Sequence, residues 1–272
     1  MKHSLIALLL VTIVLLGREA SALTVTPTSD PNLLANTILG AGVAISNAAY
    51  SANTGNGSGT FTGGSGSGIG IGTGIILTTG TATGAVGPNT LDNFTGSGTF
   101  SQLDFEFTTT TGSVFFNYVF ASEEYNEFTN SQFNDAFTLQ VDGVNIALIP
   151  GTSTPVQINT VNGGNPFGTN ASHPELFHNN DLSDGGPFFD IQYDGFTSVF
   201  TAQATGLALG TTHTMSFFIT DTSDSNLDSA VFIEGGSFGG VPPPIGVPEP
   251  GSGLLILIGL GAAAGLRRRR RR

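Results

Sequence analysis

Two acidic segments hold the side chains best suited to chemistry. The first is Ser122-Glu123-Glu124-Tyr125-Asn126-Glu127-Phe128, followed by Asn134-Asp135; the second places Asp221, Asp224 and Asp228 ahead of Ser229. Carboxylates gathered on loops at strand ends are hard oxygen donors of the kind calcium takes. Glu123, Glu124, Asp135, Asp221, Asp224 and Asp228 are therefore the expected metal ligands, with calcium as the ion. Their spacing is not that of an EF-hand, which needs alternate ligands, a central glycine and a final glutamate. The same residues have plainer uses: the glutamates as solvated groups on a loop, the aspartates as Asx-turn formers between strands.

Charge strengthens the metal reading. Of 20 acidic residues, Glu19 and Glu249 alone lie outside residues 23–247, which leaves 18 inside. All 8 basic residues lie outside that span: Lys2, Arg18 and the six arginines 267–272. Inside it a carboxylate can be solvated, hydrogen-bonded, metal-bound or paired with a histidine, but never with lysine or arginine. The lack of cations also excludes nucleic-acid binding and attachment to anionic lipid headgroups. With 0 cysteines, disulfides and thiolate metal sites are excluded, and calcium is the expected substitute staple.

Enzyme readings find little support. Glu124 and Asp135 are a carboxylate pair of the type glycosidases use. Sugar sites want aromatic platforms, however, and the chain has 0 Trp and 4 Tyr. The nearest approach to a serine-nucleophile turn, Gly64-Ser65-Gly66-Ser67-Gly68, is low-complexity sequence. His173 and His178 share one Gly/Asn-rich loop and are a weaker pair of metal-ligand candidates. The expectation is a protein that is not an enzyme.

The elements that must position these groups read as β. Residues 103–107 alternate apolar and acidic, one face buried and one wet. Further strands are predicted at 75–77, 114–120, 136–141, 144–149, 155–161, 188–193, 196–204, 213–220 and 228–238. Asp142-Gly143 between two of them signals a type I′ hairpin. A short helix is predicted at 32–39, with Leu34 and Ile38 on one face. Residues 51–74, rich in Gly, Ser and Thr, read as a flexible loop or a run of packed turns. The 21 phenylalanines have no polar tip and read as core. The fold class is all-β, a jelly-roll-like β-sandwich.

Both ends carry targeting signals. Met1-Lys2-His3, an apolar run over 5–16 and Ala20-Ser21-Ala22 form a signal peptide over residues 1–22, cleaved after Ala22. Residues 23–240 form the β-sandwich domain, 241–247 a proline-rich spacer, and 248–272 a tail that halts export. That last segment runs from Pro248-Glu249-Pro250 through an apolar helix at 251–266 to the arginine tail, which stays on the cytoplasmic side.

Val247-Pro248-Glu249-Pro250, the Gly/Leu/Ile/Ala helix and the arginine cluster resemble the PEP-CTERM sorting signal of Gram-negative bacteria. The resemblance implies processing by an exosortase near Pro248, Glu249 and Pro250 after transient inner-membrane insertion. It also implies display at the cell surface or in an exopolysaccharide and biofilm matrix. A second resemblance rests on Phe116-Asn117-Tyr118-Val119-Phe120-Ala121-Ser122-Glu123-Glu124-Tyr125, Asn134-Asp135 and Asp228-Ser229-Ala230-Val231-Phe232-Ile233-Glu234. These are similar to the choice-of-anchor L domain, as are Gly42-Val43-Ala44-Ile45-Ser46-Asn47 and Gly74-Ile75-Ile76-Leu77-Thr78-Thr79-Gly80 upstream. That family implies surface display without a defined catalytic activity. Residues 87–102 depart from its pattern, being shorter and less acidic, which puts any acidic contact from that stretch in doubt.

Overall fold

A computed structural model of the chain describes residues 22–223 and 225–243. Residues 1–21 of the predicted signal segment, Pro248, Glu249, Pro250, the helix at 251–266 and the ligand candidate Asp224 fall outside the described residues.

The chain opens with strand β1 (Thr24–Pro27) and helix α1 (Pro31–Ile38). Asp30 caps the helix by accepting from the N–H groups of Asn32 and Leu33, and Leu34, Ala35 and Ile38 are its buried residues. Strands β2 (Val43–Ala52) and β3 (Ser58–Thr62), a single turn α2 (Gly64–Ser67) and β4 (Thr73–Thr78) follow. Long strands β5 (Phe100–Thr109) and β6 (Ser113–Ser122) come next, then β7 (Ala136–Val141) and β8 (Val144–Asn145). The chain closes with β9 (Phe177–Asn179), β10 (Gly195–Thr197), β11 (Phe200–Thr205), β12 (His213–Thr220) and β13 (Ser229–Glu234).

These strands form two antiparallel sheets. The 8-stranded sheet runs β1-β3-β4-β13-β6-β10-β9, with β11 also on β6; the 5-stranded sheet runs β2-β5-β12-β7-β8. Taking β4, β5, β6, β7, β8, β11, β12 and β13 as first to eighth, the sheets contain the orders 1-8-3-6 and 2-7-4-5. That is jelly-roll topology, with β2 added at one edge and β1–β3 at another. The expected fold class is the observed one.

The core follows from residue alternation. On β5, Leu103, Phe105 and Phe107 face the other sheet, while Gln102, Asp104 and Glu106 face outward. Strand β6 is apolar on both faces because it is covered on both. Phe116, Tyr118 and Phe120 enter the inter-sheet core, and Val119 and Ala121 join a second cluster with Ile76, Phe196 and Phe232. Phe238 closes one edge, its ring edge-on to Phe105 and Phe107 at 5.2 and 5.3 Å. Not every phenylalanine is core, however: Phe167 and Phe188 are 47% and 59% exposed.

Several predicted strands are replaced by side-chain bonding. The segment 188–193 forms no strand: Ile191 makes one isolated antiparallel bridge with Val86, and Asn180 binds the segment's backbone. Its Oδ1 accepts from the N–H groups of Phe188 and Phe189, and its Nδ2 donates to the carbonyls of Ile191 and Tyr193. The predicted strand 144–149 shortens to β8 because Asn145 Oδ1 captures the N–H groups of Leu139 and Ala147. Residues 155–161 form no strand: Pro155 makes an isolated bridge with Leu148, and 158–160 are turn. The predicted strand 196–204 divides into β10 and β11, where the Thr197 hydroxyl accepts from the Phe120 N–H. Within 51–74, β3 is a true strand: a side chain at Gly59 would meet the carbonyl of Thr26 at 2.7 Å, so the glycine permits pairing with β1. The Asp142-Gly143 turn has positive φ at both residues, 49° and 80°, as type I′ requires.

Candidate metal centre

Register places the acidic loops at one end of the sandwich. β13 begins with Ser229 opposite Ser122, the last residue of β6; β12 ends with Thr220 opposite Phe100, the first of β5, and opposite Ala136, the first of β7. The loops carrying Glu123 to Glu127, Asp135, Asp221 and Asp228, and the long β4–β5 connection, therefore meet there. The opposite end carries the ion pair found among the described residues, His213 Nδ1 to Asp142 Oδ2 at 2.7 Å.

The expected ligands are mostly buried. Glu123 and Glu124 are 0% and 1% exposed, which rules out the solvated-loop use. The backbone N–H of Phe94 donates to Glu123 Oε2 at 3.3 Å, and the carboxyl of Asp194 lies against the same carboxyl group. Two carboxyl groups in contact need a proton between them. Burial first, and Asp194 second, push Glu123 well above the usual carboxylate range; burial likewise carries Asp194 to about 8.

Asp135 and Asp228 are held in structural bonds. Asp135 Oδ1 accepts from the Thr222 N–H at 2.9 Å and Oδ2 from the Ser229 hydroxyl at 2.7 Å. Asp228 lies in a glycine cradle, where Gly96 N–H donates to Oδ2 at 2.9 Å and the Thr81 N–H also contributes. Burial raises this group to about 6 against the pull of those two donors. Asp221 is half-buried beside them, its N–H donating to the Thr99 carbonyl.

A different trio closes to coordination distance. Oxygens from Asp92, Glu127 and Asp181 all lie within 4.8 Å of one another. Asp92 comes from the β4–β5 connection, Glu127 from the loop after β6, and Asp181 from the loop after β9. Asn126 packs against them at 2% exposure. Its Nδ2 donates to Asn179 Oδ1 at 2.9 Å, Asp184 Oδ2 at 3.0 Å and Asp181 Oδ2 at 3.4 Å. Asn126 Oδ1 and Glu127 Oε2 are buried atoms that no described group hydrogen-bonds. With no cation nearby, burial and then the neighbouring aspartates raise Glu127 to about 7, and burial and then Asp181 raise Asp92 above its ordinary value.

Sequence reading reached Glu127 as part of the first acidic segment but passed over Asp92 and Asp181. Residues 87–102 looked poor in acid, yet they supply Asp92. The 171–186 loop drew notice for its histidines, which are engaged separately: His173 Nδ1 with the Thr160 carbonyl, His178 Nε2 with the Ser198 hydroxyl. The signal in that loop was Asn179-Asn180-Asp181 with Asp184.

A family model for the choice-of-anchor L domain matches residues 22–239. A second, for the PEP-CTERM protein-sorting motif, matches residues 246–272. The chain belongs to the choice-of-anchor L domain family. The sorting motif marks it as an exported protein handled by exosortase in a Gram-negative envelope, and both matched regions are anchor and sorting types rather than catalytic ones. No curated protein and no solved structure matches the chain.

Proposed function

We propose that the chain is a non-catalytic surface or extracellular-matrix protein, inserted transiently in the inner membrane, processed by exosortase and retained with exopolysaccharide. The observation that carries this reading is the order of parts. The domain match ends at residue 239, the sorting match begins at 246, and Pro242-Pro243-Pro244 spaces them. The most plausible catalytic pair also argues for a structural role: Glu124 and Asp135 are each 1% exposed, closed to a sugar chain.

Mass spectrometry of the secreted product tests this. The expected product lacks the residues beyond the Pro248-Glu249-Pro250 region and loses that processing when exosortase is deleted; an intact tail on the mature protein contradicts it. A second reading, a calcium-dependent glycan-binding adhesion module, is favoured by the meeting of acidic loops at one end of the sandwich. Glycan-array binding in calcium that vanishes in chelator supports it, and silence in calcium counts against it.

A further inference from the structure

We propose that Asp92, Glu127 and Asp181 bind one calcium ion beside the buried carboxamide of Asn126. The site underlies the calcium-dependent reading but stands apart from the sorting assignment, since it requires no glycan and no exosortase.

Two independent observations point to a cation. The first is the closure of three carboxylates from three separate connections to within 4.8 Å, in a domain whose residues 23–247 contain no lysine or arginine. The second is Asn126, 2% exposed, whose carboxamide lies on Asp181 and Asp184 while its Oδ1 meets no donor. A buried amide oxygen without a partner is costly unless something electropositive reaches it. Glu127 Oε2 presents the same need at the same place.

The donors select the ion. All are oxygen, with no histidine or thiolate among them, which disfavours zinc and copper. The flexible, all-oxygen set from three separate loops, open to solvent at Asp92, suits calcium, whereas magnesium demands a near-ideal octahedral set. Waters complete the six to eight positions calcium takes, because Asp92 is exposed and opens the site to solvent. Asp184, which accepts from Asn126 Nδ2 at 3.0 Å, positions the amide.

The test is calorimetric titration of the chelator-treated full chain in detergent with calcium chloride, repeated with magnesium chloride and with Asp92→Asn and Glu127→Gln. The expected result is one calcium per chain, in the micromolar-to-millimolar range of extracellular sites. Magnesium should bind at least about ten-fold more weakly, and each variant should lose about ten-fold or more in calcium affinity. Each variant is also melted in chelator, where removal of one mutually repelling carboxylate should leave it at least as stable as the parent chain. A folded parent that takes up no calcium at millimolar concentration overturns the proposal. So do variants that bind calcium as tightly as the parent.

Discussion

The hydroxyl of Ser229 donates to Asp135 Oδ2 at 2.7 Å, tying the first residue of β13 in one sheet to the residue that precedes β7 in the other. Both residues are at most 1% exposed, and Ser122 Oγ lies 2.9 Å from the same hydroxyl. Ser229→Ala removes a donor from a buried carboxylate, which costs about 1–3 kcal/mol. In a domain of this size the melting temperature should fall by about 2–10 °C. Thermal unfolding by circular dichroism measures it.

Asp228 depends on having glycine beside it. A Cβ at Gly80 would overlap its carboxylate, and one at Gly96 would approach Oδ2 at 2.5 Å. Gly80→Ala should therefore destabilise the domain by about 1–3 kcal/mol through overpacking against a group with no room to retreat. Urea unfolding should register a lower midpoint at unchanged slope.

Phe238 marks how far the folded unit reaches. It is 0% exposed and packs on Phe105, Phe107, Phe116 and Phe217. Phe238→Ala should cost about 3–5 kcal/mol. Denaturant titration of the variant against the parent chain tests whether this residue beyond the last strand is part of the core.

At the opposite end of the sandwich, pH acts through His213 and Asp142. The bond from Asp142, and then the Ala208 carbonyl, raise His213 above its ordinary 6.5. Burial alone would raise Asp142, but the bonds from Thr214 N–H and His213 outweigh it and lower the group below 3.8. The histidine's contribution is full below pH 6.5 and fades as pH rises through its raised value; the aspartate's is full above 3.8 and fades below it. The pair thus contributes most between those limits. A proton-detected titration of His213 should show its midpoint fall on Asp142→Asn; an unchanged midpoint removes the pairing.

Asp194 and Glu123 reverse the usual behaviour of a carboxylate. Burial first holds Asp194 at about 8 against an ordinary 3.8, so the fold binds its proton more tightly than the unfolded chain does. Stability from this group is complete below the ordinary value and is lost as pH rises through about 8. Chelated protein should accordingly melt at progressively lower temperature from pH 5 to 8.5. Asp194→Asn, which supplies a permanent donor to Glu123, should flatten that decline.

The sheets were legible because their signals are local. Alternation along Leu103-Asp104-Phe105-Glu106-Phe107 and the Asp142-Gly143 pair each encode their structure within a few residues. The backbone-binding roles of Asn180 and Asn145 were not legible, because a single amide bound to backbone leaves no periodicity. β2 was not legible because a bulge between Ser46 and Ala49 breaks the alternation of its inward residues Val43, Ile45, Ala48 and Tyr50. The acidic end was legible as a region and not as a ligand set. Which carboxylates converge depends on how the β4–β5, β6–β7 and β9–β10 connections fold over one another, and no spacing rule within one segment contains that.

The most direct measurement is thermal unfolding of the full chain in excess calcium and in chelator. At free calcium about 100-fold above Kd, linkage gives about 2.7 kcal/mol, or about 5–10 °C in a domain of this size. A rise of that order is expected, abolished in an Asp92→Asn/Glu127→Gln double variant that still folds. Equal melting temperatures with and without calcium would contradict it and leave the acidic end as a set of proton-sharing carboxyl groups.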